Sequence, residues 1–323
     1  MQQYILRRIL LFIPTVLLVI TLVFFMSQFR TDYATQRVAT GSTSGNVEDY
    51  EAQLERTRKQ LGLDGPLWKR YVRYVGNVAQ GDFGESYLTG KSVTSELGDR
   101  LPASLELGLL QLAIGVLIAI PIAVISAIRQ DTWLDYFLRV FAILGLAIPV
   151  FFLGPLLLLF SDKWVGWTPP LVKTAYQEVW QDPVVNIKTL LLPAIAGGVA
   201  EGAIIMRLLR SQMLEVLRQD YVRTAWAKGL RERSVVLRHA LRNALVPVVT
   251  VLGLSIGTLF GGNVILESIF GIPGAGEFIV IAFRQNDFPL VQGFVLIVGI
   301  ALVTTNLVVD VAYAWLDPRI RYG

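Results

Sequence analysis

No cysteine occurs among the 323 residues, and histidine occurs once, as His239. The first absence excludes disulfides and thiolate metal sites and leaves the redox compartment unmarked. The second takes away the ligands of a histidine-built metal site. Charge is sparse as well, at 17% of residues, where soluble domains carry about 25%. The net charge of +4 is modest. Its positive members gather at the ends of apolar segments, a pattern of membrane orientation and not of a nucleic-acid surface. There is no strong internal repeat and no low-complexity tract.

What is there instead is hydrophobic: 54% of the chain, with several apolar runs that reach the roughly 20 residues needed to cross a bilayer. The lipid bilayer is therefore the first partner. Arg7 and Arg8 precede a run from Ile9 to Met26. That run is long for a signal-peptide core and leads into Ser27-Gln28-Phe29-Arg30, which is not a small-residue cleavage site. The reading is an uncleaved first span, Ile5 to Phe29, with its N-terminus inside.

Residues 30 to 101 are polar, with ten basic and ten acidic residues. They form an outer insert in which Glu48 to Gln60 and Pro66 to Val78 are predicted helices. Span two runs from Ala103 to Ile128, with Pro102 suited to its first turn. The loop Arg129-Gln130-Asp131-Thr132 is expected inside. Span three, Trp133 to Phe160, contains Pro149 and Pro155, which predict kinks. An outer loop with Trp164, Trp167 and Trp180 fits an interfacial aromatic belt. Span four, Lys188 to Leu209, holds Gly197, Gly198 and Gly202, suited to close helix packing. Span five runs from Ala244 to Leu266. A loop from Glu267 to Pro289 and span six, Leu290 to Leu316, come next, and the basic tail 317–323 lies inside. The expected organisation is a first helix in 1–30, an outer insert in 31–101, and a five-helix core in 102–316 with an inner loop at 207–243. The fold class is all-α, a polytopic membrane protein of six transmembrane helices with both termini cytoplasmic.

The inner loop carries the most information. Residues 207–247 hold nine Lys or Arg against Glu215, Asp220 and Glu232, and such an excess between two spans marks the cytoplasmic side. Leu230, Leu237 and Leu241 recur at helical spacing. Gly229 interrupts the pattern and supplies a turn between two short helices. An ordered helix–turn–helix facing the cytoplasm suggests a docking surface for another protein. The alternative is an amphipathic helix lying on the membrane.

Five stretches in order then resemble a permease subunit of bacterial ATP-driven importers of the dipeptide/oligopeptide/nickel branch. They are Tyr4-Ile5-Leu6-Arg7-Arg8-Ile9-Leu10; Gly81-Asp82-Phe83-Gly84-Glu85-Ser86; Asp220-Tyr221-Val222-Arg223-Thr224-Ala225 through Arg238-His239-Ala240-Leu241-Arg242-Asn243-Ala244-Leu245; Glu267-Ser268-Ile269-Phe270 with Pro273-Gly274; and Asp310-Val311-Ala312-Tyr313 with Asp317-Pro318-Arg319. The resemblance implies the type I importer permease fold in a bacterial cytoplasmic membrane. It also implies a second, homologous permease subunit, two ATPase subunits that bind ATP and Mg, and an extracytoplasmic substrate-binding protein. This chain would bind no cofactor, metal or nucleic acid and carry no catalytic residue. By the same resemblance Tyr221, Arg223, Thr224, Ala225, Lys228, Gly229, Leu230 and Arg231 form the ATPase-coupling element, with Arg238, His239 and Asn243 as its support. Arg223 and Lys228 stand where the general importer signature carries acids. After the first span, Arg30-Thr31-Asp32-Tyr33-Ala34 replaces the branch's Pro-Gly-Asp-Pro run. The implied cargo is a short peptide; nickel chelates, glutathione and oligosaccharides are the alternatives.

Gly90-Lys91-Ser92 does not make a phosphate loop, because the glycine such a loop needs five residues before Gly90 is Glu85. His239 has no nucleophile partner in the pattern and reads as structural. Glu201 falls inside span four, where an acid is costly unless it faces a cavity or a partner. Two readings stand: a pathway group facing a substrate amine, or a packing hydrogen bond. Asn263 and Glu267 are candidates for an outer gate. An ion-gradient carrier is the alternative class; it usually shows paired interrupted helices and several buried charges. A signalling or scaffold membrane protein is the third.

Overall fold

The computed structural model describes residues 2–28, 55–56, 65–86, 89–171 and 173–316. Most of the predicted helix Glu48 to Gln60, the Arg30–Ala34 corner and the tail 317–323 lie outside the described residues. In chain order the helices are α1 (Gln2–Gln28), α2 (Leu67–Ala79), α3 (Val93–Gly98), α4 (Leu101–Ile128), α5 (Trp133–Ala147), α6 (Val150–Phe160), α7 (Pro183–Leu217), α8 (Asp220–Ala227), α9 (Leu241–Leu259), α10 (Val264–Phe270), α11 (Ala275–Arg284) and α12 (Phe288–Leu316). A π turn, Ser161–Val165, extends α6, and a second, Val235–Ala240, leads into α9. No strand occurs among the described residues; the isolated bridge Glu85–Ser92 is the extended pairing found there.

Five helical segments are long and apolar enough to cross a membrane, and two bent helix pairs add to that number if each counts as one span. One pair is the predicted third span, which is broken and not merely kinked: α5 and α6 meet at 106°. Ile148 has ψ 116 ahead of Pro149, the extended state that a following proline imposes. Pro155 sits inside α6 without breaking it. The predicted fifth span starts earlier and ends earlier than expected, its helical path running Glu232–Leu259. Its helix ends at Leu259, and Asn263 starts a new one by accepting from the Leu266 N–H at 3.2 Å. The fourth span is longer, 35 residues, or about 52 Å at the α-helical rise. Asp182 caps it by accepting from the N–H groups of Val184 and Val185 at 2.9 and 3.1 Å. That length exceeds a bilayer core of about 30 Å, so Arg207 and Arg210 belong to α7 and the non-helical part of the basic segment begins at Arg218.

By chain contacts the described residues form two compact units. In the unit of 100–277 and 308–323, α7 is the central helix: 67% of its apolar window is buried, against 28% for α4. The two helices touch backbone to backbone. A Cβ on Gly202 would stand 2.9 Å from the Gly115 carbonyl oxygen, and one on Gly115 3.1 Å from the Gly202 nitrogen. The predicted close packing at these small residues is thus realised between α4 and α7. Apolar side chains seal both ends, with Ala123, Leu209, Met213, Val236 and Ala240 at one and Leu107, Leu190, Leu266 and Phe270 at the other.

In the unit of 1–99 and 278–307, Ile20 and Val23 of α1, Val78 of α2 and Leu296 of α12 share a core. Thr21 and Tyr71 are joined hydroxyl to hydroxyl at 2.7 Å. The Gly81–Ser86 motif forms a turn: the Gly84 N–H donates to Asp82 Oδ1 at 2.9 Å, and Ser86 Oγ donates to the buried Asp287 at 2.5 Å. Ser92 accepts from the Ser95 N–H as the N-cap of α3. The Gly-Lys-Ser run therefore opens a six-residue helix in an extended turn.

Candidate functional site

The basic segment is built around α8. Val222 and Ala225 are buried against Val216, Leu217 and Val235. Tyr221, Arg223, Thr224, Trp226 and Lys228 point outward and are exposed. One face of this short helix is thus seated and the other free, as amphipathic spacing requires. Gly229 comes next with φ +74, and nothing lies within 4 Å of the Cβ it lacks. Its necessity is therefore one of backbone conformation and not of space. The chain reverses there, with the Gly229 N–H donating to the Trp226 carbonyl at 2.9 Å. Asn243 of α9 holds the turn by donating to Tyr221 Oη at 2.8 Å and to the His239 carbonyl at 3.0 Å. Arg238 and His239 lie in the π turn.

Of the leucine stripe read from the sequence, only Leu241 packs inward, partly buried against the core around Leu209, Val236 and Ala240. Leu230 and Leu237 are exposed, and Val222, Ala225, Val235, Val236 and Ala240 are inside. Leu230 belongs to the turn after Gly229, so it does not share a helix with Leu237. The π turn at Val235–Ala240 then shifts the helical phase on entry to α9.

A second node has no counterpart among the residues singled out by sequence. Arg210 of α7 grips Asp135 of α5 with both arms, Nε to Oδ1 at 3.0 Å and Nη2 to Oδ2 at 2.7 Å. Ser126 of α4 donates to the same carboxylate, and the Asp131 N–H donates to Oδ2 at 3.1 Å. Asp135 is wholly buried. An acid within an apolar span, the feature that marks Glu201, marks Asp135 equally. Its partner 75 residues away has no signature in spacing.

Glu201 lines a cleft of about 310 Å³ together with Gln111 of α4, Ser255 and Thr258 of α9, and Asn263. Ser255 Oγ donates to Glu201 Oε1 at 2.5 Å. Gln111 Nε2 is buried without a hydrogen-bond partner. Both readings of Glu201 are therefore present in one place: it makes a packing hydrogen bond, and it faces a polar cleft. Glu267 differs. It is wholly buried and accepts from Ser104 Oγ at 2.7 Å, the Asn263 N–H at 2.9 Å and the Glu277 N–H at 2.8 Å. It ties together the turns on either side of α10. Glu106 plays the same part for the loop before α7, accepting from Tyr176 Oη at 2.7 Å, the Val179 N–H at 3.1 Å and Asn186 Nδ2 at 2.5 Å. Burial pushes the Tyr176 phenol far up, and its hydrogen bond to Glu106 pushes it further, so it remains a donor at any physiological pH. Among the described residues no three His, Cys, Asp or Glu gather as metal ligands.

Long apolar helices packed through glycine, buried acids used as ties, and a short amphipathic helix seated on the end of a span describe a helical membrane protein. The chain belongs to the binding-protein-dependent transport system inner membrane component family, whose profile matches residues 119–322. The family's N-terminal membrane-component profile matches residues 1–108. It is thus an ABC importer permease of the inner membrane. It is 35% identical over 322 residues to the glutathione transport system permease protein of Escherichia coli strain K12, with all of both chains covered. It is 36% identical to the Salmonella paratyphi A protein of the same description, again over all of both chains. The dipeptide transport system permease protein of Alkalihalophilus pseudofirmus is 35% identical over 348 residues, also end to end.

Proposed function

We propose that this chain forms half of the translocation pathway of a peptide-class importer, with short peptides or glutathione as cargo. Six spans carry it, the bent α5–α6 pair counted as one, with both termini in the cytoplasm. A second, homologous permease completes the pathway, two ATPases dock on the inner face, and an extracytoplasmic binding protein delivers cargo. In this reading ATP and Mg are bound by the ATPases, whose closure moves α8 and, through it, the spans. Nickel chelates and oligosaccharides are the remaining cargo classes.

The observation that carries the proposal is the geometry of α8. Its seated face makes it a rigid lever on α7 and α9, while Arg223, Trp226 and Lys228 offer charge and aromatic area to a groove. The relatives named as dipeptide and glutathione permeases support the cargo class, and the lone acid Glu201 in a polar cleft suits a cargo bearing an ammonium group. The test is purification of the chain from native membranes with identification of what accompanies it. A second permease and ATPases should co-purify, and Trp226→Ala with Arg223→Ala should lose the ATPases but keep the permease. ATPases retained in that variant would remove α8 as the coupling element.

A further inference from the structure

α5 and α7 border a groove of about 630 Å³ that the transport reading does not use. The two helices run antiparallel, because Asp135 meets Arg210 at one level and Gly145 meets Val199 two to three turns away. This sets the order of the groove's lining. Ala142, Ile143 and Leu146 of α5 and Ala203 and Met206 of α7 form its apolar stretch. One turn toward the basic segment come Arg139 and Arg207, then Arg210, and further out Arg218. Glu215 is the acid in the lining, and the buried Asp135 is taken up by Arg210. Arg207 and Arg218 have no ion-pair partner among the described residues. Arg139 touches Asp135 at 3.4 Å and stacks on Tyr136, yet its Nε and Nη2 make no hydrogen bond.

We infer that this groove binds an acidic phospholipid. Its apolar part points toward the bilayer centre, and its arginines sit where α7 leaves the hydrocarbon. A phosphodiester held at Arg139 and Arg207 would lay its acyl chains along Ile143 and Leu146, an order of apolar and basic levels that matches a lipid. Arg207 carries a charge without a partner among the described residues at the end of the apolar stretch, and guanidinium groups hold phosphate oxygens with two donors each. Basic pockets between spans are where acidic headgroups settle. With the orientation proposed above, the lipid belongs to the inner leaflet.

The experiment uses the assembled transporter in vesicles of phosphatidylcholine with or without phosphatidylglycerol, and then native mass spectrometry of the released permease. The wild type should retain phosphatidylglycerol in preference to phosphatidylcholine. Arg207→Gln, a change at an exposed residue without a partner, should weaken retention roughly fivefold, and Arg139→Gln with Arg207→Gln by about the square of that. Inorganic phosphate at millimolar concentration should leave the lipid in place. Equal retention by wild type and the double variant, or displacement by inorganic phosphate alone, would overturn the proposal. The absence of native cysteine allows one more arm. Ile143→Cys as this chain's unique thiol should be shielded by lipid, and a cross-link from it to the second permease would show that protein fills the groove and overturn the proposal.

Discussion

Asp135 and Arg210 lie 75 residues apart in the chain and form a two-armed ion pair, with Nη2 2.7 Å from Oδ2 and Nε 3.0 Å from Oδ1. The pair clamps the start of α5 to α7 at the first turn of the basic segment. Asp135 is fully buried and the Arg210 side chain only 16% exposed, so the acid has no water to fall back on and the base has little. Asp135→Ala should therefore destabilise the purified permease by about 3–5 kcal/mol, the range for stranding one member of a buried pair. Asp135→Ala combined with Arg210→Met should lose much less. Thermal unfolding midpoints in detergent measure both. A double variant as unstable as the single one would mean that the pair itself, and not the stranded charge, supplies the stability.

Glu267 should behave as a tie and not as a gate. Its carboxylate accepts from Ser104, Asn263 and Glu277, and an amide in its place would turn a donor toward donors. Glu267→Gln should cost about 1–3 kcal/mol and lower the amount of folded protein before any effect on cargo. Folded yield and uptake per folded transporter, measured separately, distinguish the two roles. Normal yield with impaired uptake would restore the gate.

At Glu201 the opposite split is expected. Its carboxylate has Ser255 as partner and faces the cleft with Gln111. Glu201→Gln preserves shape and keeps an acceptor for Ser255. Uptake should fall by roughly tenfold or more, the scale of one lost charge-assisted contact, with assembly unchanged. Unaltered uptake ends the pathway reading and leaves the packing hydrogen bond.

Gly293 of α12 faces α3 so closely that a Cβ there would stand 2.5 Å from Val93 Cγ1 and 3.2 Å from the Phe83 carbonyl oxygen. Gly293→Ala should loosen the Gly81–Gly98 segment at a cost of about 1–3 kcal/mol, as overpacking does. Faster proteolysis of that segment in intact vesicles is the measurement. An unchanged digestion pattern would show that Val93 yields without cost.

Gly229 is constrained differently. Its φ of +74 disfavours any β-branched side chain although space is open. Gly229→Val should reduce coupled ATP hydrolysis and uptake together, while leaving membrane insertion intact. Gly229→Asn, which tolerates the left-handed region, should retain most activity. Equal damage from both would point to the exposed surface and not to the turn.

The apolar runs alone determined that this is an all-helical membrane protein. A chain cannot leave about 20 consecutive apolar residues in water, nor unpaired backbone in lipid. The charge excess of 207–247 marked where the apolar part of α7 gives out, though the helix runs on to Leu217, and Gly229 marked the turn, because local conformation depends on local residues. The exposed leucines at 230 and 237 show where this kind of inference stops. Periodicity says that a face exists, and the direction it points depends on the turn and the π shift around it. Asp135 with Arg210, Glu106 with Tyr176 and Asn186, and Ser255 with Glu201 are joined across 54 to 80 residues. No spacing rule links such positions. Only the packing of α4, α5, α7 and α9 decided which buried charge meets which partner, since electrostatic pairing acts through space and the sequence orders residues only along the chain.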